Sequence, residues 1–165
     1  MLAKDYKNLD QLENDKDLIE ERIKEEQNRS WLKGEWHIPG YKFCGPGTKI
    51  ASRIMRGDKP INELDEACEK HDLDYMTEVD NNEGLIKADE ELVQAANKYI
   101  TDHPSFWDTI DRLAAEFVAG VFKTKGKIEK SGVWKPTTFA NILTGGDKEK
   151  EKKIGRRLKS FLNLN

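Results

Sequence analysis

A histidine and an aspartate stand next to each other in a predicted helix, and a glycine-rich turn precedes that helix. The turn spans residues 43–47, with the sequence FCGPG, and the helical segment spans residues 65–75. Two glycines and a proline allow a tight turn whose carbonyl oxygens can point at a cation. On the helix, Asp72 points about 100° away from His71. A base, a carboxylate and turn carbonyls together suit a metal-assisted hydrolase.

Ester hydrolysis at neutral pH requires a base that activates water and a positive centre that stabilises the oxyanion. The imidazole of His71 suits the base, and no GxSxG motif indicates a serine nucleophile. Calcium prefers several oxygen ligands at flexible geometry, which a carboxylate such as Asp72 and the turn carbonyls can provide. The pattern therefore indicates direct attack by water.

Two helices are predicted to meet at this site. Asn62 can cap the first helix, on which Cys68, His71 and Tyr75 share one face. A second helix is predicted over residues 85–99, with an apolar face formed by Leu85, Ala88, Leu92, Ala95, Ala96 and Tyr99. Asp89 lies on or beside this face. If buried, it needs a partner, which a histidine on a neighbouring antiparallel helix can provide. The alternative is a solvated Asp89 in the charged sequence KADEE.

The chain has two cysteines, which are too few for a disulfide scaffold. Cys44 lies in the glycine turn and Cys68 on the first predicted helix. Two interpretations remain open, namely two buried thiols or a bridge. A bridge would close a loop of about 25 residues and would contribute roughly 3.5 kcal/mol in a loop-entropy estimate.

The combination of GPG with the downstream sequence DEACEKHDLDY resembles the calcium loop and catalytic helix of phospholipase A2. It is most similar to the version at the amino terminus of parvovirus-type minor capsid proteins, to which IPGYKFCGPG and KADEEL also point. The two cysteines instead resemble those of the secreted phospholipases. The resemblance covers roughly residues 36–98.

This resemblance implies roles for the residues of the two helices. His71 would be the base, Asp89 would fix its tautomer, and the Tyr75 hydroxyl would hold Asp89. Cys44 and Cys68 would form a disulfide.

The resemblance also implies a calcium site. Both carboxylate oxygens of Asp72 would bind the ion together with the carbonyls of Phe43, Gly45 and Gly47. The backbone N–H of Gly45 would add to the oxyanion site. Phe43 stands where the family often has tyrosine, but only its carbonyl would be used.

The implied fold is all-α, a small phospholipase A2-like domain with two antiparallel catalytic helices and a calcium-binding loop. We predict this domain over residues 33–125, between a charged helical extension over residues 1–32 and a basic, partly flexible tail over residues 126–165. The extension is predicted as one helix over residues 4–29, which either docks a partner or packs on the core. Its apolar seam consists of Tyr6, Leu9, Leu12, Lys16, Ile19 and Ile23.

Three further segments carry predictions. Residues 48–61 are predicted to be a polar spacer with a turn at residues 57–60. A third helix is predicted after Ser105, with a stripe expected either to lie in the core or to cover the open side of the two catalytic helices: Phe106, Ile110, Leu113, Ala114, Phe117 and Val121. The chain end is basic and, if helical, aligns Ile154, Leu158, Phe161 and Leu162.

The resemblance implies a calcium-dependent phospholipase A2 that hydrolyses the sn-2 ester, carried on a virion and acting at the host endosomal membrane. The net charge of -3 gives no bias of the whole molecule toward anions, and the chain start lacks the apolar core of a signal peptide. Expected partners are a phospholipid membrane surface, other capsid subunits and, through the basic tail, nucleic acid. The alternatives are a catalytically silent lipid- or protein-binding module and a structural capsid element that contacts nucleic acid.

Overall fold

The computed structural model describes residues 9–28 (side chains from residue 14), 37–105, 108–138, 140 and 147–164. These residues form six principal helices and no strand, so the predicted all-α fold is confirmed. The helices are α1 Leu9–Gln27, α2 Ile50–Arg56, α3 Glu63–Thr77, α4 Asn82–Asp102, α5 Thr109–Lys130 and α6 Lys148–Phe161. None of the described helices has the length and hydropathy needed to span a bilayer.

Helices α3 and α4 are antiparallel neighbours, as predicted. Asn62 caps α3, because its side chain accepts a hydrogen bond from the Asp65 N–H at 2.9 Å. Across the pair, Asn62 bonds to Tyr99, Lys70 pairs with Glu91, and His71 contacts Asp89. Residue numbers fall along α4 as they rise along α3, which is the antiparallel order.

Helix α5 packs on α4 through small side chains, and the predicted core stripe is wrong. The buried face of α5 is formed by Ala114, Ala115, Val118 and Ala119. Of the predicted stripe, only Ala114 is buried, and Phe106 lies outside the described residues. The exposed members are Ile110, Leu113, Phe117 and Val121. Alanine lets the two helix backbones approach closely, so the face of small residues is the one that packs on α4.

The predicted spacer contains helix α2, which the sequence reasoning missed. Ile50, Ala51 and Ile54 are buried on one face, and the helix is followed by Gly57, whose φ of 82° favours glycine. Glu26 of α1 accepts hydrogen bonds from the N–H groups of Ala51 at 3.1 Å and Ser52 at 2.9 Å. A carboxylate from a distant part of the chain therefore caps the start of α2.

Helix α6 packs against α3, and helix α1 packs against α2 and α6. Arg22 of α1 donates two hydrogen bonds to the Glu151 carboxylate of α6 and one to Glu26. On α6, Ile154 and Leu158 are buried against the core. The division of the chain at residues 33 and 125 stays a prediction, but α6, beyond the second boundary, packs directly on α3.

The basic end of the chain pairs extensively with acidic side chains. Lys150 lies 2.8 Å from Glu25, Lys153 lies 3.0 Å from Asp15, and Lys159 lies 2.6 Å from Asp74. Much of the positive charge on α6 is therefore opposed by carboxylates of α1 and α3.

Candidate active site

His71 and Asp89 form a buried pair between α3 and α4. The Nε2 atom of His71 lies 2.8 Å from Oδ1 of Asp89, and the Tyr75 hydroxyl donates to the same oxygen at 2.7 Å. Asp89 has no proton to donate when ionised, so Nε2 carries the hydrogen. The lone pair of Nδ1 is then left on the side of Asp72, whose Oδ1 lies 3.7 Å away.

The environment keeps Asp89 ionised. Burial alone raises the pKa of Asp89, but hydrogen bonds from His71, Lys125 and Tyr75 outweigh burial and lower it. Burial alone lowers the pKa of His71, but its contacts with Asp72 and Asp89 outweigh burial and raise it. Burial and the Asp89 charge raise the pKa of Tyr75, so its hydroxyl remains a donor.

Lys125 of α5 completes the surroundings of Asp89, and the sequence reasoning missed it. Its ammonium donates to Asp89 Oδ2 at 2.5 Å and to Glu129 Oε1 at 2.5 Å, and lies 5.5 Å from the centre of the Tyr75 ring. The predicted domain boundary falls at residue 125, and α5 continues past it to Lys130. The i, i+4 spacing of Lys125 and Glu129 was the available signal for a continuing helix.

The glycine turn is fastened to α3 by Asp65 and by a disulfide. Asp65 is fully buried, and its carboxylate accepts hydrogen bonds from four backbone N–H groups, those of Lys42, Phe43, Cys44 and Ile61. Cys44 is bonded to Cys68, the pairing that the resemblance implied. The loop is therefore held at one end of the helix that carries His71 and Asp72.

Two of the predicted calcium ligands converge on the hydroxyl of Thr48. This oxygen lies 3.3 Å from the Phe43 carbonyl and 3.1 Å from the Gly45 carbonyl. The same side chain interacts with Asp72 and acts to lower the pKa of that carboxylate. Gly47 has a φ of 76° and lines the same cavity. The structure thus brings Phe43, Gly45 and Asp72 together around one point.

Asp72 has the chemistry of a cation ligand. Burial raises its pKa, and its interactions with His71 and Thr48 only partly oppose this effect. Within the described residues, no three or more His, Cys, Asp or Glu side chains form a metal-binding group. One carboxylate with several carbonyl oxygens is nevertheless a donor set that calcium accepts. The residues present therefore fit a calcium ion.

An apolar cavity of about 370 Å³ opens onto His71 and Asp72. Helices α3, α4 and α5 and the glycine turn form most of its wall, and α1 and α6 contribute the paired Arg22 and Glu151. Apolar side chains along the wall include Ile38, Phe43, Met76, Leu92, Val118 and Phe122. The Phe122 ring lies edge-on to the His71 ring, with 4.7 Å between their centres. The site can hold an acyl chain beside a base.

A family model described as phospholipase A2-like domain matches residues 34–117, just over half of the chain. No curated protein and no solved structure gives a match. The matched range includes the glycine turn, α3 and α4, and it ends within α5, before Lys125.

Proposed function

We propose that this chain, which belongs to the phospholipase A2-like family, is a calcium-dependent phospholipase A2 that hydrolyses the sn-2 ester of phospholipids. The observation that carries the proposal is the buried His71–Asp89 pair, 2.8 Å apart, beside an apolar cavity of about 370 Å³. A base held in one tautomer next to space for an acyl chain matches the needs of ester hydrolysis in a lipid.

In the proposed reaction, Nδ1 of His71 takes a proton from water while the water oxygen attacks the ester carbonyl carbon. The imidazolium then donates this proton to the departing glycerol oxygen, which releases fatty acid and lysophospholipid. Asp89 stabilises the imidazolium and keeps Nε2 protonated, and Tyr75 with Lys125 holds Asp89 in place.

The ligands of calcium in this proposal are the carboxylate of Asp72 and the carbonyls of Phe43, Gly45 and Gly47. A bound calcium ion supplies positive charge that polarises the ester carbonyl and stabilises the oxyanion. The N–H of Gly45 adds a hydrogen bond to that oxygen. The convergence of the Phe43 and Gly45 carbonyls near Asp72 supports this assignment.

The direct test measures fatty-acid release from mixed phospholipid vesicles with calcium and with a chelator. We expect release with calcium, none with the chelator, and none from His71→Asn. His103→Asn, which changes a histidine bonded to the Tyr99 carbonyl, serves as the matched control and should stay active. Release that is insensitive to chelation would contradict the calcium assignment. Calcium binding without hydrolysis on any lipid would instead favour a catalytically silent binding module.

The biological setting that we propose is a virion whose phospholipase breaches the host endosomal membrane. It rests on the similarity of IPGYKFCGPG and KADEEL to the capsid-borne branch of the family. Particles that carry His71→Asn should enter endosomes normally but fail to release a co-internalised marker into the cytosol. Normal marker release would contradict this role.

A further inference from the structure

A second cavity lies on the other side of α3 from the substrate cavity. It has a volume of about 410 Å³ and is bounded by the turn after α2, the outer face of α3 and the end of α6. At 100° per residue, Glu69 of this cavity lies about 160° around α3 from His71. The two cavities share no lining residue. A ligand of the second cavity would therefore be separate from the phospholipid of the proposed function.

Glutamates of α3 dominate the charge of this cavity, which we call the acidic pocket. Asp58 at its edge pairs with Arg56 at 2.5 Å. Lys70, also in its wall, lies 2.6 Å from both Asp74 and Glu91. Partners outside the pocket thus balance these two charges. The other charged residues of the wall are one lysine and three glutamates: Lys59, Glu63, Glu66 and Glu69.

Glu69 is the buried member of this group. Only 5% of its surface is exposed, and its Oε1 atom has no hydrogen-bond partner among the described residues. Burial, and then the charges of Glu66 and Asp65, raise the pKa of Glu69, and the opposing effect of Lys59 is smaller than that of either acidic residue. Because a buried carboxyl oxygen normally accepts a hydrogen bond, Glu69 suits a donor that carries positive charge.

The acidic pocket fits an organic cation better than a metal ion. Within the part of the chain that the structure describes, no three His, Cys, Asp or Glu side chains come together to hold a metal. The glutamates from Glu63 to Glu69 extend over about 9 Å of helix, so a larger cation with several donors can reach more than one of them. Half-buried Leu162 and Leu164 add an apolar part to the wall. This combination suits a cationic head on an apolar stem.

We infer that the acidic pocket binds a guanidinium group on a short apolar stem, which is the chemistry of an arginine side chain. A guanidinium carries five N–H donors in one plane and can bond to two carboxylates, whereas an ammonium acts as a point charge. It is also more weakly hydrated than an ammonium, so it is more easily placed beside apolar side chains. The head donates to Glu69 and Glu66, and the stem packs on Leu162 and Leu164.

Binding is tested by NMR titration of the full chain with butylguanidinium, at constant ionic strength and without calcium or lipid. We expect a Kd on the order of 1 mM for a ligand of this size. The backbone N–H signals of residues 63–70 should shift, and those of the glycine turn should not. Butylurea has the same shape without the charge and should not bind, and pentylammonium should bind more weakly. Equal binding of butylurea, or tighter binding of pentylammonium, would overturn the inference.

The decisive variant is Glu69→Gln, which keeps the shape of the side chain and removes its charge. Its affinity for butylguanidinium should be about ten-fold lower, because a hydrogen bond to a charged group is lost. The matched control is Glu116→Gln, which makes the same change at an exposed residue of α5 outside the pocket and should bind as the parent does. Equal affinity of the parent and Glu69→Gln, or an equal loss in both variants, would contradict the site.

Leu164→Ala tests the apolar part of the wall. Butylguanidinium should bind about three-fold more weakly to this variant, whereas methylguanidinium, which lacks the stem, should bind as it does to the parent. An equal loss for the two ligands would contradict the placement of the stem.

N-acetylarginine N-methylamide identifies the source of the guanidinium group. If it binds as tightly as butylguanidinium, the pocket accepts an arginine side chain of another polypeptide. If butylguanidinium alone binds, the ligand is a free guanidine. Binding of neither overturns the inference. None of these measurements involves hydrolysis, so failure of the acidic pocket and failure of the proposed function are separate results.

Discussion

Asp89 and Asp72 lie on opposite sides of the His71 ring and have different surroundings. Asp89 receives hydrogen bonds from His71, Tyr75 and Lys125, and they hold its pKa below the ordinary value. The side chain of Asp72 is 28% exposed, its nearest approach to the ring is 3.7 Å, and burial raises its pKa. Hydrogen-bond donors within the protein therefore outweigh the effect of burial on Asp89, whereas the interactions of Asp72 only partly oppose it.

This contrast shows how surroundings assign roles to two chemically identical side chains. Donors around Asp89 make it an anchor for His71. In the proposed function, the oxygens near Asp72, which include the Phe43 and Gly45 carbonyls beside the Thr48 hydroxyl, would hold the calcium ion. Base chemistry and metal chemistry should therefore be separable by mutation.

The largest effect is expected for His71→Asn. Removing the base should lower activity by about 10³-fold or more, because general-base catalysis commonly contributes 10²- to 10⁴-fold. Calcium affinity, measured by calorimetry, should stay within a small factor of the parent value, since no calcium ligand is changed. Substantial remaining hydrolysis would mean that the base lies elsewhere.

Asp72→Asn tests the other side of the ring. An amide oxygen is a poorer ligand than a carboxylate for a hard divalent cation. Calcium affinity and calcium-stimulated hydrolysis should fall together, by about 10²-fold, in parallel titrations of the two properties. Retention of calcium-stimulated hydrolysis by this variant would show that the ligand set is wrong.

Lys125→Met should affect the His71–Asp89 pair and leave the proposed calcium site unchanged. The variant removes the cation beside a buried carboxylate, so kcat should fall by about 10- to 100-fold. KM and calcium affinity should change little, because Lys125 contacts neither the turn nor Asp72 in the hydrogen bonds described. Lys125→Arg keeps the charge and should recover most of kcat, whereas a purely packing role would predict no such rescue.

Cys44→Ser/Cys68→Ser should weaken the attachment of the glycine turn to α3, close to Asp72. Removing a bridge with a sequence separation of 24 should cost roughly 3.5 kcal/mol of unfolding free energy, measured in urea. Calcium affinity should fall because the turn is less firmly held, whereas the His71–Asp89 pair is held by its own hydrogen bonds. Equal stability of the variant and of the unreduced parent would contradict this account.

Glu69 of α3 is another buried carboxyl group, and its substitution is expected to have the smallest effect. Burial, and then the charges of Glu66 and Asp65, raise its pKa to about 7, and its Oε1 has no hydrogen-bond partner among the described residues. A carboxyl with a raised folded-state pKa contributes stability below its unfolded pKa, near 4.5, and loses it as pH rises through 7.

Glu69→Gln should therefore be more stable than the parent above pH 7 and nearly equal to it below pH 4.5. After allowance for solvent at the neighbouring surface, the gain should be on the order of 1–2 kcal/mol. Thermal unfolding across pH checks the sign. A variant that is less stable than the parent at pH 8 would contradict the raised pKa.

Prediction from sequence succeeded where the pattern was local. The first catalytic helix was expected over residues 65–75 with Asn62 as its cap, and α3 spans Glu63–Thr77 with that cap. Prediction from sequence failed for α5, where an apolar stripe was assigned to the core. Periodicity identifies a shared face but not which of two faces is buried, and here the face of small residues packs on α4.

By itself, the sequence determined which side chains share a helix face and which family the turn and helix resemble. Those properties depend on neighbours in the chain and on helix geometry. Only the tertiary structure placed Lys125 against Asp89, 36 residues away, and Arg22 against Glu151, 129 residues away. Contacts between such distant residues depend on how whole helices pack, and a helix pattern does not specify its packing partner.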